Sequence, residues 1–364
     1  MSHHLDRSKV GVLIAQLGTP DAPTAQALRP YLREFLSDRR VIDYHPLIWR
    51  PILSLVLMRR PPRSAQLYAR VWHETGSPLL DYSDRIVDNL QRRLGSAYRV
   101  ILGMTYGNPS IRDAIKTLEK EGIHRLIVLP MFPQYSSTTT AAIYDAVYDA
   151  AAGRRTFFKH DNKRFIPSLR FIDRYYDDPR FVAVLQTHLA REIAQLPHQP
   201  DHYIISYHGI PQRYHQTGDP YRPQCEHQTR LLADAMGWRD DEWTISFQSQ
   251  FGPEEWLQPY TEDVLRELAG RGVKRPFVFS PGFVTDCLET LDELGNEGVE
   301  QFVEGGGEHD LYALGACLND ADYWLDYMET LIVENAGGWA YPQPNPTATA
   351  VPIHEKPVEA LADA

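Results

Sequence analysis

The apolar positions of this chain fall into short β-branched runs separated by longer stretches of helical spacing. Val10–Gln16 (VGVLIAQ) reads as a buried strand, and Tyr98–Met104 and Arg125–Pro130 as two more. Ser110–Glu121, between the last two, repeats apolar residues at helical spacing, with Asn108 near its N-cap and Pro109 near N1. A second series has the same plan. Tyr203–Tyr207, Trp243–Gln248 and Pro276–Ser280 read as strands, separated by helical patterns at Gln224–Met236 and Thr261–Arg271. Strands alternating with helices imply parallel sheets with right-handed crossovers, here in two α/β halves joined near Gly153–Arg170. The halves are expected over residues 8–160 and 161–319. A helix over 320–336 is expected to pack back on the first, and a Pro-, Ala- and Thr-rich tail over 337–364 to be disordered.

The most apolar run is Pro46–Met58 (PLIWRPILSLVLM), followed by the basic segment Arg59–Arg63. It is too short to span a bilayer, and Arg50 and Pro51 interrupt it. Two placements fit it: a core helix, or an exposed lip that touches a greasy ligand or a membrane face.

Composition narrows the function. The formal charge of −11 disfavours nucleic acid as a partner, because phosphate recognition needs concentrated Lys and Arg. Cys225, Cys287 and Cys317 form no CxxC pair, which argues against a disulfide framework and a structural zinc site and suits a reducing compartment. The first residues, MSHHLDRSK, lack the apolar core of a signal peptide, so a cytoplasmic location is expected; His3 and His4 are read as part of a floppy terminus.

In open parallel sheets, ligands sit beyond the carboxyl ends of the strands. His208 directly follows the strand YIISY, and Gly209, Ile210 and Pro211 fix a non-helical exit behind it. Its imidazole suits metal binding or proton transfer near neutral pH; a structural ring bonded to a nearby carbonyl is the alternative. Asp286, Glu289 and Glu293 lie at i, i+3 and i+7, one face of an α-helix. That ridge suits a hard cation or a proton route, but Asp286-x-x-Glu289 also has the spacing of a helix-capping box. Met131–Thr140 sets Phe132 and Tyr135 beside a run of hydroxyls ahead of a helix, either a flat apolar wall or a Ser/Thr-rich cap with packed rings. Trp256 is a further wall candidate. Val10–Gln16 is followed by Leu17-Gly18-Thr19-Pro20 and not GxGxxG, and there is no Walker A loop or GxSxG elbow, so nucleotide and serine-hydrolase readings lose support.

Together these segments resemble the ferrochelatase family from about Val10 to Glu334. The pieces are Leu17-Gly18-Thr19-Pro20, Gly76-Ser77-Pro78-Leu79, Tyr106-Gly107-Asn108-Pro109, Phe132-Pro133-Gln134-Tyr135-Ser136, Ser206-Tyr207-His208-Gly209-Ile210-Pro211, Gly218-Asp219-Pro220-Tyr221, Gln248-Ser249 with Phe251-Gly252-Pro253, and Asp286-Cys287-Leu288-Glu289-Thr290-Leu291-x-Glu293. Each is weak alone; their joint order and spacing are specific.

The resemblance implies two Rossmann-like lobes, each a parallel sheet flanked by helices, with a porphyrin cleft between them and Pro46–Arg63 as its lip. It implies an enzyme that inserts Fe²⁺ into a porphyrin. His208 and Glu289 are implied as catalytic and metal-binding, with Asp286 and Glu293 continuing an acidic metal or proton path. Leu17, Phe132, Tyr135, Ser206, Gln248, Ser249 and Trp256 are implied around the porphyrin. The family often has His at the position of Cys287, some members have Tyr where Leu17 and Phe132 stand, and Thr105 replaces a basic residue of the animal enzymes. Ser137 stands at one cysteine position of the members that carry a [2Fe–2S] cluster, so no cluster and no permanently bound cofactor is expected. Iron is substrate. A monomer with peripheral membrane contact is expected.

The ring would be bent by tight walls while His208 accepts a pyrrole proton or holds the metal and Glu289 takes protons or passes iron. Protoporphyrin is favoured by the apolar lip and the resemblance, with coproporphyrin as the alternative. A haem carrier without turnover and a chelatase of the cobalt or siroheme pathways are the rivals. A carrier needs no acidic route, and the latter usually lack the Phe-Pro-Gln-Tyr-Ser and Gly-Asp-Pro-Tyr pieces.

Overall fold

A computed structural model describes residues 9–153, 155–156, 159–160 and 163–339. From the N-terminus the elements are β1 (Val10–Thr19), α1 (Ala25–Ser37), α2 (Pro46–Val71), α3 (Pro78–Leu94), β2 (Tyr98–Gly107), α4 (Ile111–Lys120), β3 (Arg125–Pro130), α5 (Thr140–Ala152), a hairpin β4 (Arg155–Thr156) and β5 (Lys159–His160), β6 (Ser168–Phe171) and α6 (Pro179–Gln195). Then follow β7 (His202–His208), α7 (Gln212–Gln216), α8 (Tyr221–Met236), β8 (Trp243–Gln248), α9 (Thr261–Gly270), β9 (Pro276–Phe279), a π-helix (Glu289–Glu297), α10 (Gly298–Glu304), β10 (Ala313–Leu314) and α11 (Asp322–Asn335). Two four-stranded parallel sheets result, ordered β2-β1-β3-β6 and β10-β9-β7-β8.

β1 shows why its sequence is apolar without alternation. Val12 and Ile14 join a core with Ile86 and Leu90 of α3 and Trp324 of α11. Leu13 and Ala15 face Ile111, Ile115 and Leu118 of α4 and Ile143 and Val147 of α5. A parallel strand covered on both faces buries every side chain, each large one contributing about 1.5–3 kcal/mol. In the second lobe, Ile204 and Val278 pack with Leu265 of α9 and Phe302 of α10, while Ile205, Tyr207 and Phe279 belong to the larger core.

Motifs far apart in sequence meet in the fold. Gly18 has φ +134°, and a Cβ there would lie 1.9 Å from the Tyr106 carbonyl oxygen, so only glycine fits. The next residue, Thr19, donates its Oγ1–H to Ser77 Oγ at 2.8 Å. Asp219 of the Gly-Asp-Pro-Tyr motif accepts from Ser136 Oγ (3.0 Å), Ser137 N (2.7 Å), Ser137 Oγ (2.6 Å) and Tyr221 N (3.0 Å), tying the loop after β3 to the second lobe.

Three expectations need correction. β6 hydrogen-bonds to β3, so the first sheet runs past the expected boundary at 160; a four-residue, largely half-exposed edge strand leaves little apolar signal. The cap of α4 is Ser110, whose Oγ accepts from Asp113 N at 3.1 Å, whereas Asn108 donates to Asp21. Pro46–Met58 belongs to a 26-residue helix whose faces differ: Trp49, Leu53 and Leu57 are buried, while Leu47 is 77% and Met58 63% exposed. The run is therefore core on one face and exposed on the other, and not one or the other of the two expected placements. α11 packs against α3 and β3 of the first lobe and against α6. Residues 340–364 of the expected tail, and His3 and His4, lie outside the described residues. Among the described residues no helix is long and apolar enough to cross a membrane.

Candidate active site

The carboxyl ends of β1 and β7 open on one cleft between the lobes, with a volume of about 460 Å³. The first lobe supplies Leu17, Tyr31 and Phe35, Trp49, Arg60 and Tyr68 of α2, and Phe132. The second supplies His208, Ser249, Phe251, Trp256, Cys287, Glu289 and Glu293. Walls are therefore apolar and aromatic, with a few polar groups converging.

His208 is the last residue of β7, level with Gln248 of β8. Its Nδ1 lies 2.6 Å from the Gly209 carbonyl oxygen. A carbonyl only accepts, so Nδ1 donates, and in the neutral tautomer that this selects the lone pair is on Nε2. The ring is half-buried, with Trp256 and Phe283 centroids at 6.2 and 6.3 Å. Gly209 packs closely beside it: a Cβ there would meet Gln248 O at 3.0 Å and Trp256 at 3.1 Å, so any larger residue would push on the Trp256 ring. One ring nitrogen of His208 is thus committed to the backbone, as the structural alternative has it, and the other is left on the cleft side of that bond.

Glu289 and Glu293 both line the cleft from the π-helix. That wider coil is sustained by Tyr312, whose hydroxyl donates to Leu294 O at 2.6 Å, in space left by Gly298. Gln248 supports it from beneath by donating Nε2–H to the Glu289 carbonyl at 2.9 Å. Burial, with the neighbouring Glu289, pushes the Glu293 carboxyl up to about 7, against the pull of the Ser249 hydroxyl that donates to it. Ser249 is held at φ +70°, a left-handed conformation uncommon for a non-glycine residue.

Leu17, Phe132, Ser249 and Trp256 stand on the cleft as expected. Four other expected residues do not line it. Asp286 is buried and accepts from Thr290 Oγ1 (3.0 Å), Asn319 Nδ2 (2.7 Å) and Cys317 N (3.3 Å). Its carboxylate is consumed in holding the start of the π-helix. Ser206 is fully buried, donating to Gln248 Oε1 at 2.9 Å, and Gln248 itself bonds the π-helix. Tyr135 packs edge-on against Tyr144, and its N–H is taken by Gln224 at 2.8 Å. These residues support the site from behind.

Sequence reasoning missed three wall residues and the state of a fourth. Arg60 and Tyr68, eight apart on α2, share a face that turns into the cleft beside Tyr31. The Arg60 guanidinium stacks 4.5 Å over the Phe251 ring; burial lowers its pKa, opposed by Glu293, Tyr31, Tyr68 and Glu289. Helical spacing carried this signal, but the basic segment read as lip surface. Burial, and Glu289 beside it, hold the Cys287 thiol well above its usual pKa, so it stays a neutral thiol. Thr105 donates to Gln16 O at 3.0 Å and does not line the cleft. Among the described residues no group of three or more His, Cys, Asp or Glu is arranged to hold a metal.

SirB from Bacillus subtilis, solved with Fe³⁺, shares this fold with a TM-score of 0.52 at 11% identity, over 90% of this chain and 96% of that one. The sirohydrochlorin chelatase SirB from Bacillus subtilis subspecies spizizenii, solved with cobalt, gives the same values. Fold and site together are those of a two-lobed α/β enzyme with a His/Glu cleft. The ferrochelatase family model matches residues 9–336. A ferrochelatase of Brucella canis is 45% identical over 336 residues, 91% of this chain and 92% of its own, and one of Brucella ovis is 44% identical over the same shares. The chain belongs to the ferrochelatase family, the metal-inserting enzymes of haem synthesis, whose substrates are a porphyrin and iron.

Proposed function

We propose that the protein inserts Fe²⁺ into protoporphyrin IX in the cleft between the lobes, with His208 and Glu289 as the reacting side chains. The observation that carries this reading is that the imidazole with a free Nε2 and the Glu289 and Glu293 carboxylates all line one aromatic cleft. A free-base porphyrin must lose two N–H protons as the metal enters. With Nδ1 engaged by the backbone, Nε2 of His208 is the ring atom that can accept a pyrrole proton. The carboxylates suit passage of a hard dication and acceptance of the second proton. Phe132, Leu17 and Trp256 supply flat contact that holds the ring and excludes water.

Charge favours a ring with two carboxylates over one with four. Among the described residues, the cations lining the cleft are Arg60 and Arg213, and Arg213 is already paired with Asp43 and Glu254. Arg60 has no close ion pair with a carboxylate of the described residues, so one guanidinium with hydroxyls around it suits two propionates; four would face Glu289 and Glu293 with no further cation. An anaerobic assay with protoporphyrin, coproporphyrin and Fe²⁺ or Zn²⁺ tests this. Protoporphyrin is expected to be metallated faster, with His208→Ala and Glu289→Gln each losing about 10²-fold or more in turnover while folded. Near-normal turnover in either variant would overturn the residue roles, and faster coproporphyrin metallation the substrate. Binding of haem without turnover would favour a carrier.

The outer face of α2 exposes Leu47, Ile48, Ile52, Leu55 and Met58 at the rim of the cleft, with Arg50 and Arg59 among them. An apolar face with interspersed cations suits shallow insertion into an anionic bilayer, on the cytoplasmic side where such lipids lie. Co-flotation with anionic vesicles is expected and should be lost in Leu47→Glu/Ile48→Glu; failure of the unaltered protein to float would sink the proposal. Because one chain supplies the whole cleft, the protein is expected to act as a monomer; a dimer in analytical ultracentrifugation would refute this.

A further inference from the structure

The mouth of the cleft is spanned by a side-chain bridge that no step of metal insertion uses. Arg213 of α7 is ion-paired with Asp43 and with Glu254. The Asp43 pair is two-pronged: Nη1 and Nη2 each donate to one carboxylate oxygen. Asp43 lies on the first lobe just ahead of the lip helix α2, whereas Arg213 and Glu254 belong to the second lobe. Two tyrosines complete the bridge. Tyr214 donates its hydroxyl to Val41 O at 2.9 Å, and Tyr44 donates to Glu254 at 3.4 Å. The guanidinium also lies 5.4 Å from the Tyr44 ring centre.

The two sides of the bridge are anchored differently. On the second lobe, Gln212 N donates to Glu255 O (2.9 Å), Leu257 N to Ile210 O (3.0 Å) and Gly209 N to Gln248 O (2.8 Å). This backbone mesh fixes Arg213 to the strand end that carries His208, five residues earlier. Among the described residues, no backbone–backbone hydrogen bond joins residues 41–44 to the second lobe. Here the lip is held by side chains, and a single guanidinium gathers most of them.

We propose that Arg213 is a positioning residue, a clasp that ties the lip to the lobe bearing His208 and slows escape of a flat ring from the cleft. Both carboxylates on Arg213 come from the protein, so the residue is spent on the lip and is not a receptor for a ligand carboxylate. Tyr44, Arg213, Tyr214 and Glu254 all line the cleft, so on this proposal a ring that leaves past the lip must first part Asp43 from Arg213. Partly exposed ion pairs are individually weak, but a planar guanidinium shared by two carboxylates fixes geometry that one pair does not. The clasp rests on the cleft being the porphyrin site proposed above.

Stopped-flow displacement of protoporphyrin IX from the full chain tests it. Arg213→Met and Asp43→Ala are each expected to speed release by about three- to tenfold, with a smaller change in association. The double variant should release no faster than Arg213→Met alone, because both substitutions open one clasp. Release within twofold of the unaltered protein in both variants, or independent multiplying effects, would overturn the clasp. Should Arg213→Met not fold, Asp43→Ala decides alone, since it leaves Arg213 paired with Glu254 and removes a side chain that is 42% exposed. Phe132→Ala separates the two readings. Its weaker porphyrin binding keeps the ring in the cleft; unchanged binding would remove the cleft reading and the clasp with it.

Discussion

Glu293 is a carboxyl whose charge the fold opposes, and Glu293→Gln makes the opposition measurable. Burial and the adjacent Glu289 raise it from an ordinary value of 4.5 to about 7. Below pH 4.5 the group is protonated in both the folded and unfolded chain and contributes nothing. Between 4.5 and about 7 the folded protein holds a proton that the unfolded chain has released, so stability falls as pH rises. Above 7 it is ionised in both states and the folded protein bears the whole penalty. At about 1.4 kcal/mol per pH unit, that penalty reaches roughly 3 kcal/mol by pH 8. Glutamine is neutral throughout and keeps an oxygen that the Ser249 hydroxyl can bond. Urea unfolding at steps from pH 5 to 8.5 should show the variant gaining on the unaltered protein by roughly 2–3 kcal/mol across that range. Parallel stability curves would refute the placement of a strained carboxyl here. Metal insertion should move oppositely, slowing in the variant, because a neutral amide neither relays a dication nor takes a proton.

Two further outcomes test residues behind the cleft. Asp286→Ala should cost about 2–4 kcal/mol by leaving the Cys317 N–H and the Asn319 amide unpaired, while the KM for metal stays unchanged; a raised metal KM with unaltered stability would return Asp286 to the metal path. Asp219→Ala strips four donors of their acceptor and should lower stability by about 3 kcal/mol or more in denaturant melts, and a loss below about 1 kcal/mol would show that this tie between the lobes is dispensable.

The sequence by itself determined the two-lobed α/β plan, because strands covered on both faces must be apolar throughout, as Val10–Ala15 and Ile204–Ile205 are. It also located His208, since a histidine at the carboxyl end of a parallel strand, followed by Gly-Ile-Pro, leaves the sheet where ligands bind. Tertiary structure decided which polar residues face the cleft. Asp286, Glu289 and Glu293 share one face of an α-helix, but the segment coils as a π-helix from Glu289, and Asn319, 33 residues beyond Asp286, claims the first carboxylate. Gln248 ends its strand like His208, and Ser206 lies two residues short of such an end, yet their side chains are taken by each other and by the π-helix backbone. Arg60 reads as part of a basic surface until α2 docks and turns it inward over Phe251. The division has one physical cause. Apolar periodicity is a local property that the chain carries with it. The orientation of a buried polar group is set by partners that long loops bring in from elsewhere, and those partners exist only once the lobes have met.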